Sequence, residues 1–466
     1  MKFQTDRAAL VSIVFFVYVL SFVYVAFFDS GVFSDFGYPI HNGGDSSEYA
    51  LLTQNLANYG AYSLSPDFSV PEMFRTPGYS VFLAPLYAMD NSFYLAIFAQ
   101  ILLVLGCAFL IYEIGKKFLP EFWAILCALF FALDPTTIFY SLSIFSDTLF
   151  TFLVLLAVYL LFVREKIGWW EYALAGLVLG FGALVRSAGE YLVIIFALFA
   201  LYEAVKRVSF RKAILLALLF LVSAFAVIAP WYVRNFQESG AIGLSTTGPQ
   251  ALLLYGVKDF EMRKHGVTEE AFTNEIKDRL KVNDMAELRS VAYSKGMMEI
   301  VKEKIFADPI NYGIYHISGS INLFLSSSLR DVTLNLPKLE SALSSVGLIG
   351  KNDVNIKAFF TVDPLRAIWY SITAEPLFTF ERVLRLLGLQ LALAVVVYAF
   401  FKRRMSTLFV LMVVIVAYTA LVIGPVSYPR YRIPLEPFLY LITAFGMFCF
   451  FPKLTQKTEQ KDATQA

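Results

Sequence analysis

Charge is what this chain has least of. Only 16% of its 466 residues are Asp, Glu, Lys or Arg, and the signs nearly cancel, to a net +1. Ordinary soluble domains carry about a quarter charged residues. A near-neutral balance gives no electrostatic footprint for a nucleic-acid partner. Cysteine is scarcer still. Cys107, Cys127 and Cys449 each sit in an apolar run, so they read as packing residues rather than as a disulfide framework or a metal cluster. His41, His265 and His316 show no ligand spacing, and no metal site is indicated. The chain also lacks the internal repeat that marks inverted-repeat transporters. No small-residue cleavage pattern follows the first apolar run, 8–28, which therefore reads as a retained helix rather than a signal peptide.

Apolar residues take the place of charge. The chain is 58% hydrophobic and 17% aromatic, with 46 Phe and 26 Tyr. A soluble core cannot absorb that much, so an all-α polytopic membrane protein is expected. About ten runs are long enough to cross a bilayer: 8–28, 93–115, 119–136, 148–163, 170–186, 190–205, 213–234, 382–401, 406–425 and 434–452. Lys and Arg in the short loops set the sidedness. Lys2, Lys116, Arg164, Lys206, Arg403 and Lys453, with their basic neighbours, all fall on one face if both termini are cytoplasmic.

That parity leaves two long segments outside, about 29–92 and 235–381. Within the first, "GYSVFLAPLYAM" is too short to cross and reads as a juxtamembrane helix. The second alternates charge at helical spacing and reads as a helical extracytoplasmic insertion. Its stretch 311–328 is expected to lie on the outer surface or pack there. The divisions are thus a transmembrane module over 1–234, the insertion over 235–381, C-terminal transmembrane helices over 382–452, and a disordered cytoplasmic tail over 453–466.

The outer ends of the spans carry the charge that the membrane disfavours. "GGDSSEYA" holds Asp45 and Glu48, and "MFRTPGYS" holds Arg75. "LDPTTIFYSLSIFSD" holds Asp134 and Asp147, "ALVRSAGE" holds Arg186 and Glu190, and "PWYVRNF" holds Arg234. "SYPRYRIP" holds Arg430 and Arg432. Ionisable groups at this depth usually face a bundle interior or a water-filled cavity. Carboxylates and arginines gathered on one side predict an outward-facing site, and arginine's planar donor fork suits a phosphate.

Each group has a structural alternative. Asp45 and Glu48 have the spacing of a capping box. Arg186 and Glu190 have that of an i,i+4 ion pair. Arg234 fits an interfacial anchor, Asp147 a helix start, Asp134 a turn before Pro135 and "SYPRYRIP" a rigid turn. A transporter or flippase with an outward charged site, and an inactive assembly subunit, are the competing functional classes. A transporter would spread charge through span centres, whereas here it gathers at outer ends.

Five segments, in order, resemble the GT-C glycosyltransferases, in the branch of protein O-mannosyltransferases and lipid A aminoarabinose transferases. They are "GGDSSEYALLTQNLANYGAYS", "FRTPGYSVFLAP", "FSDTLFTFLVLLAVYL", "PWYVRNFQESGAIGLSTTGP" and "YPRYRIPLEPFLYL". Nothing in 256–380 carries the resemblance. The resemblance implies transfer of a sugar from a polyprenyl-phosphate carrier to an extracytoplasmic acceptor. It implies Asp45 as the catalytic base and Arg186, Arg234, Arg430 and Arg432 around the donor phosphate. Glu48, Tyr49, Arg75, Tyr79, Asp147, Glu190 and Tyr431 would then orient the base, sugar or acceptor. Ser46 follows Asp45 where the mannosyltransferase branch commonly has Glu. No cofactor is required by such a transfer, and a divalent metal is compatible with it. The bilayer and the lipid-linked sugar are the expected partners.

Overall fold

The computed structural model describes residues 12, 14–23, 44–165, 168–349, 373, 375–402 and 405–450. The ends of the first expected span, residues 29–43 with His41, Arg403, Arg404 and the 453–466 tail lie outside the described residues. No strand occurs among the described residues.

Helix α1 (Val14–Val23) opens the chain. Next come α2 (Asp45–Tyr59) and α3 (Gly78–Asp90). The bundle continues with α4 (Tyr94–Gly115), α5 (Glu121–Ala132), α6 (Pro135–Ser141) and α7 (Asp147–Val158), the last running on as a π turn to Val163. Then come α8 (Trp169–Val185), α9 (Gly189–Arg207) and α10 (Phe210–Ser239). The insertion carries α11 (Glu269–Leu280), α12 (Ser294–Ala307), α13 (Pro309–Leu325), α14 (Ser328–Leu334) and α15 (Pro337–Ser345). The C-terminal part is α16 (Pro376–Phe401), α17 (Thr407–Ile423) and α18 (Glu436–Phe450).

This is an integral membrane protein. Helices α4, α10, α16 and α17 with its 424–426 extension are each long and apolar enough to cross a bilayer, and the bent pair α5–α6 adds a fifth if its two pieces count as one span. The 22 residues of α4 rise about 33 Å, matching the hydrocarbon core. Helices α1, α7 with its π turn, α8 and α18 are apolar but shorter. Among the described residues the ten runs read from the sequence fall on helices, but 119–136 is not one straight helix. It bends by 53° between α5 and α6. The cause is local. Pro135 at N1 denies the preceding residue a helical backbone, so Asp134 is extended (φ −62°, ψ 130°), and its Oδ1 accepts the Thr136 N–H at 2.9 Å. Turn chemistry accounts for this contact of Asp134.

Packing in lipid relies on small residues, which let helix backbones approach. Helices α8 and α10 use this device. A Cβ at Gly180 would meet the Ala224 carbonyl oxygen at 2.5 Å, and one at Gly176 would collide with the Phe220 carbonyl oxygen. Helix α3 lies against α8 the same way, with the Gly78 position 2.5 Å from the Leu184 backbone. So "GYSVFLAPLYAM" is a helix as expected, seated by its first glycine. The Tyr18 hydroxyl, fully buried, ties α1 to α5 by donating to the Ala132 carbonyl at 2.9 Å.

The insertion has its own core, in which Leu253, Val257, Phe260, Phe272, Ile276, Leu288, Met297 and Ile300 are buried together. Helix α13 packs against the end of α17. Ser320 Oγ donates to the Ala420 carbonyl at 3.0 Å, and Gly319 closely approaches Pro425. Cys107 and Cys127 are free and buried in the bundle.

Gly180→Leu is expected to overpack the α8–α10 contact and cost about 1–3 kcal/mol, lowering the thermal midpoint of the detergent-solubilised protein. Gly388→Leu, at a helical position with open space around it, is the control. Equal melting of both variants would contradict the packing account.

Candidate active site

The site assembles where five chain segments meet. Gly44, with φ +63°, turns the backbone into α2, and Asp45 is the first helical residue. Arg75 sits in the loop between α2 and α3. Asp147 opens α7. Arg186 ends α8 in an extended conformation (φ −143°, ψ 127°). Arg430 lies in the 3-10 turn Pro429–Arg432 between α17 and α18.

Both Asp45 oxygens are taken by arginines. Arg75 Nη2 donates to Oδ1 at 2.5 Å, and Arg430 Nη2 donates to Oδ2. The capping box is therefore not formed. Gly44 occupies the cap, and no side chain accepts from the first helical N–H groups as a cap would. The physical reason is competition: a charge-assisted pair to two arginines outweighs a bond to a backbone N–H. Glu48 likewise turns to arginine. It accepts from Arg75 Nε at 2.8 Å and from Arg289 Nη1 at 2.9 Å. Burial pushes the Asp45 carboxyl upward, but Arg430 and Arg75 outweigh it and hold the group well below the usual carboxylate range. Glu48 is lowered too, Arg75 and Arg289 overcoming its burial.

Asp147 is 1% exposed and holds Arg186 through Oδ1, while its Oδ2 lies 3.5 Å from Arg430 Nε. The expected Arg186–Glu190 pair is absent. The chain leaves the helix at Arg186, so positions 186 and 190 do not share a helical face. Glu190 accepts from the Tyr232 hydroxyl instead.

These groups border a cavity of about 660 Å³. Asp45, Tyr49, Arg75, Arg186, Glu190, Arg430 and Tyr431 line it, and its remaining wall is largely apolar, including Leu252, Met298, Leu421, Val422 and Ile423. Five expected residues do not line it. Glu48 and Asp147 hold lining arginines without lining it themselves. Tyr79 is fully buried behind Tyr49, its ring edge-on at 4.9 Å, with its hydroxyl donating to Gln100. Arg432 is 0% exposed and pairs with Glu436 at 2.7 Å, also donating to the Leu323 and Ser326 carbonyls. In Arg-Tyr-Arg the middle and first side chains face the cavity, and the second arginine turns into the protein. Arg234 stacks over Trp231 at 4.5 Å and donates to the Glu72 carbonyl at 2.7 Å.

That last contact reveals what the end of α10 does. Arg234 grips residue 72, Thr246 N–H donates to the Met73 carbonyl at 3.1 Å, and the Ser245 and Thr247 hydroxyls each donate to the Phe74 carbonyl at 2.5 Å. Glu72 Oε1 accepts the N–H groups of Phe74 and Arg75 at 2.6 and 2.9 Å. The loop before Arg75 is thus fixed from both sides. The sequence reading missed Glu72 and Arg289. Arg289 comes from the insertion and pairs with Glu72 at 2.8 Å as well as with Glu48. No motif marks either residue. Among the described residues no group of three or more His, Cys, Asp or Glu is arranged to hold a metal ion.

The comparisons agree with this architecture. The chain superposes on the archaeal oligosaccharyltransferase AglB from Archaeoglobus fulgidus, solved with an inhibitory peptide and a dolichol-phosphate, with a TM-score of 0.50 over 97% of its length. The chain has the GT-C fold. Identity is 13%, and the chain spans about half of that structure, 52%. Residues 75–233 match the family described as dolichyl-phosphate-mannose-protein mannosyltransferase. No curated protein matches the chain. The matched stretch begins at Arg75 and ends just before Arg234, so it holds Asp147 and Arg186 of this GT-C site, while Asp45 and Arg430 lie beyond it.

The clamp on Asp45 makes folding pH-dependent with a definite sign. A folded carboxyl held below its ordinary value of 3.8 adds stability that is fully present above that value and is lost as pH falls toward the folded value. Wild type is expected to melt higher than Asp45→Asn at pH 7, with the gap shrinking at pH 3. A gap unchanged by acid would contradict the clamp.

Proposed function

We propose that the protein is an inverting membrane glycosyltransferase. It moves a sugar from a dolichyl- or undecaprenyl-phosphate carrier to an acceptor outside the cytoplasm, whether glycan, lipid or protein. Both termini are cytoplasmic, and the site faces the periplasm, the exterior or the lumen. The observation that carries this reading is the convergence of Asp45, Arg430 and Arg186 on one cavity whose other wall is apolar. A lipid phosphate needs cations at one end and an apolar surface at the other, and this cavity offers both.

The chemistry follows from the groups present. A prenyl phosphate is a fair leaving group, its second pKa being about 6, so it requires positive charge more than a general acid. Arg430 and Arg186 stabilise the charge that develops on the departing oxygen. The acceptor hydroxyl loses its proton to the Asp45 carboxylate as its oxygen bonds to the anomeric carbon. The bond from that carbon to the phosphate oxygen breaks from the opposite face, the electron pair leaving with the phosphate, and the configuration inverts. Arg75 and Glu48 position Asp45, and Asp147 positions both phosphate-facing arginines. Tyr49, Tyr431 and Glu190 are the wall against which sugar and acceptor are oriented. The apolar side, with Leu421, Val422 and Ile423, takes the start of the prenyl chain.

The test is mass spectrometry of cell-envelope glycans with and without the gene. Deletion is expected to remove one sugar, and wild type to restore it. Asp45→Asn, at normal membrane level, is expected to reduce transfer by about 10²–10⁴-fold. Undiminished transfer by the variant would end the assignment of Asp45 as base, and an unchanged glycan profile in the deletion would end the transferase reading.

A further inference from the structure

Every arginine on the cavity wall is already occupied. Among the described residues the cationic side chains lining it are Arg75, Arg186 and Arg430. Arg75 pairs with Asp45 and Glu48, Arg186 with Asp147, and Arg430 with Asp45 and more distantly with Asp147. Three cations face three carboxylates, and no positive charge is left over. An incoming phosphate must therefore displace a carboxylate or sit as an additional anion in a poorly solvated site, where like charges repel far more strongly than in water.

The three carboxylates are not equally able to yield. Asp147 is 1% exposed, and separating it from its arginines would strand a buried charge. Glu48 is held from behind by Arg289. Asp45 opens on the cavity, is 25% exposed and sits at the first residue of a helix, where its side chain can swing into the open space. Arg430 is the cation it can give up. Arg430 stays anchored without it, with Asp147 beside its Nε and the rings of Phe145 and Tyr431 at 4.6 and 4.9 Å.

We propose that the carrier phosphate takes Arg430 away from Asp45, so that donor arrival exchanges one ion pair for another and frees the base the reaction needs. This rests on the reading of the cavity as the site of a polyprenyl phosphate. In the empty protein Asp45 is pinned between two arginines and is a weak base. Once Arg430 has turned to the phosphate, one of the charges that suppress its basicity is gone. After transfer Asp45 holds the acceptor's proton and cannot recapture Arg430. When it releases that proton, it competes for Arg430 again and helps to expel the spent carrier.

The test is binding of dolichyl phosphate, in detergent micelles, to the full-length protein. Wild type is compared with Asp45→Asn, Asp45→Ser and Glu190→Gln, each shown to be folded by its melting curve. Glu190 lines the same cavity on the wall assigned to sugar and acceptor, neither of which the sugar-free probe brings, and its carboxylate meets Tyr232 rather than an arginine. Its amide variant therefore removes the same charge without removing a competitor. Exchange predicts binding about tenfold tighter in both Asp45 variants, and a change below about threefold in Glu190→Gln. If only one Asp45 variant folds, that variant decides. Equal tightening in all variants would reduce the effect to general electrostatics and overturn the exchange, as would unchanged or weaker binding in folded Asp45 variants. No binding by wild type or any variant would overturn the carrier-phosphate reading itself, and the exchange with it.

Discussion

The end of this molecule that carries the candidate site is organised by the cost of charge beside a membrane. A carboxylate there must have a cation, and a buried one must keep it. The Asp45–Arg430 pair is where that rule joins the two ends of the fold, because it links residues 385 apart in sequence. Arg430 also leans on Asp147, which holds Arg186, and Asp45 also holds Arg75, which is gripped by Glu48. The result is a closed set of pairs. Geometry at one arginine is coupled to the rest because neighbouring pairs share a member.

A second charge cluster beneath this one is structural. Arg385 pairs with Asp134, Glu381 and Glu436, and Arg432 with Glu436, while Glu381 accepts the N–H groups of Ser328 and Leu329 at the start of α14. It pins the insertion's last helices to the bundle through chain segments that are otherwise separate. The two clusters share the Pro429–Arg432 turn, in which Arg430 faces the cavity and Arg432 the interior. One short rigid turn thus serves both reaction site and frame.

Much of this was legible from residue types alone. The apolar runs predicted the helices, since in lipid the backbone has no other partner than itself. A turn at Asp134 before Pro135 was readable, though not the bend it puts into the run 119–136, and Asp45, Arg186 and Arg430 were read as gathering at one site, as they do. Pairing was not legible. Asp45 and Glu48 have the spacing of a capping box, and Arg186 and Glu190 that of an ion pair. Both local readings lost to partners distant in sequence, whose approach depends on how helices pack. Arg234 and Arg432 carried the right chemistry, but a side chain's direction at a helix end is set by its neighbours. Glu72 and Arg289 gave no signal, since each matters only through a contact made across the fold.

The separation of Asp45 from Arg430 also has a consequence for biogenesis. At about 5–20 residues per second, the ribosome completes the 385-residue interval in roughly 20–80 s. For that time Asp45 stands without one of its two arginines. The nascent chain therefore has no finished charge cluster. Assembly becomes chemically complete only when the Pro429–Arg432 turn, just before α18, is in place. A chain truncated before that turn would leave Asp45 without Arg430.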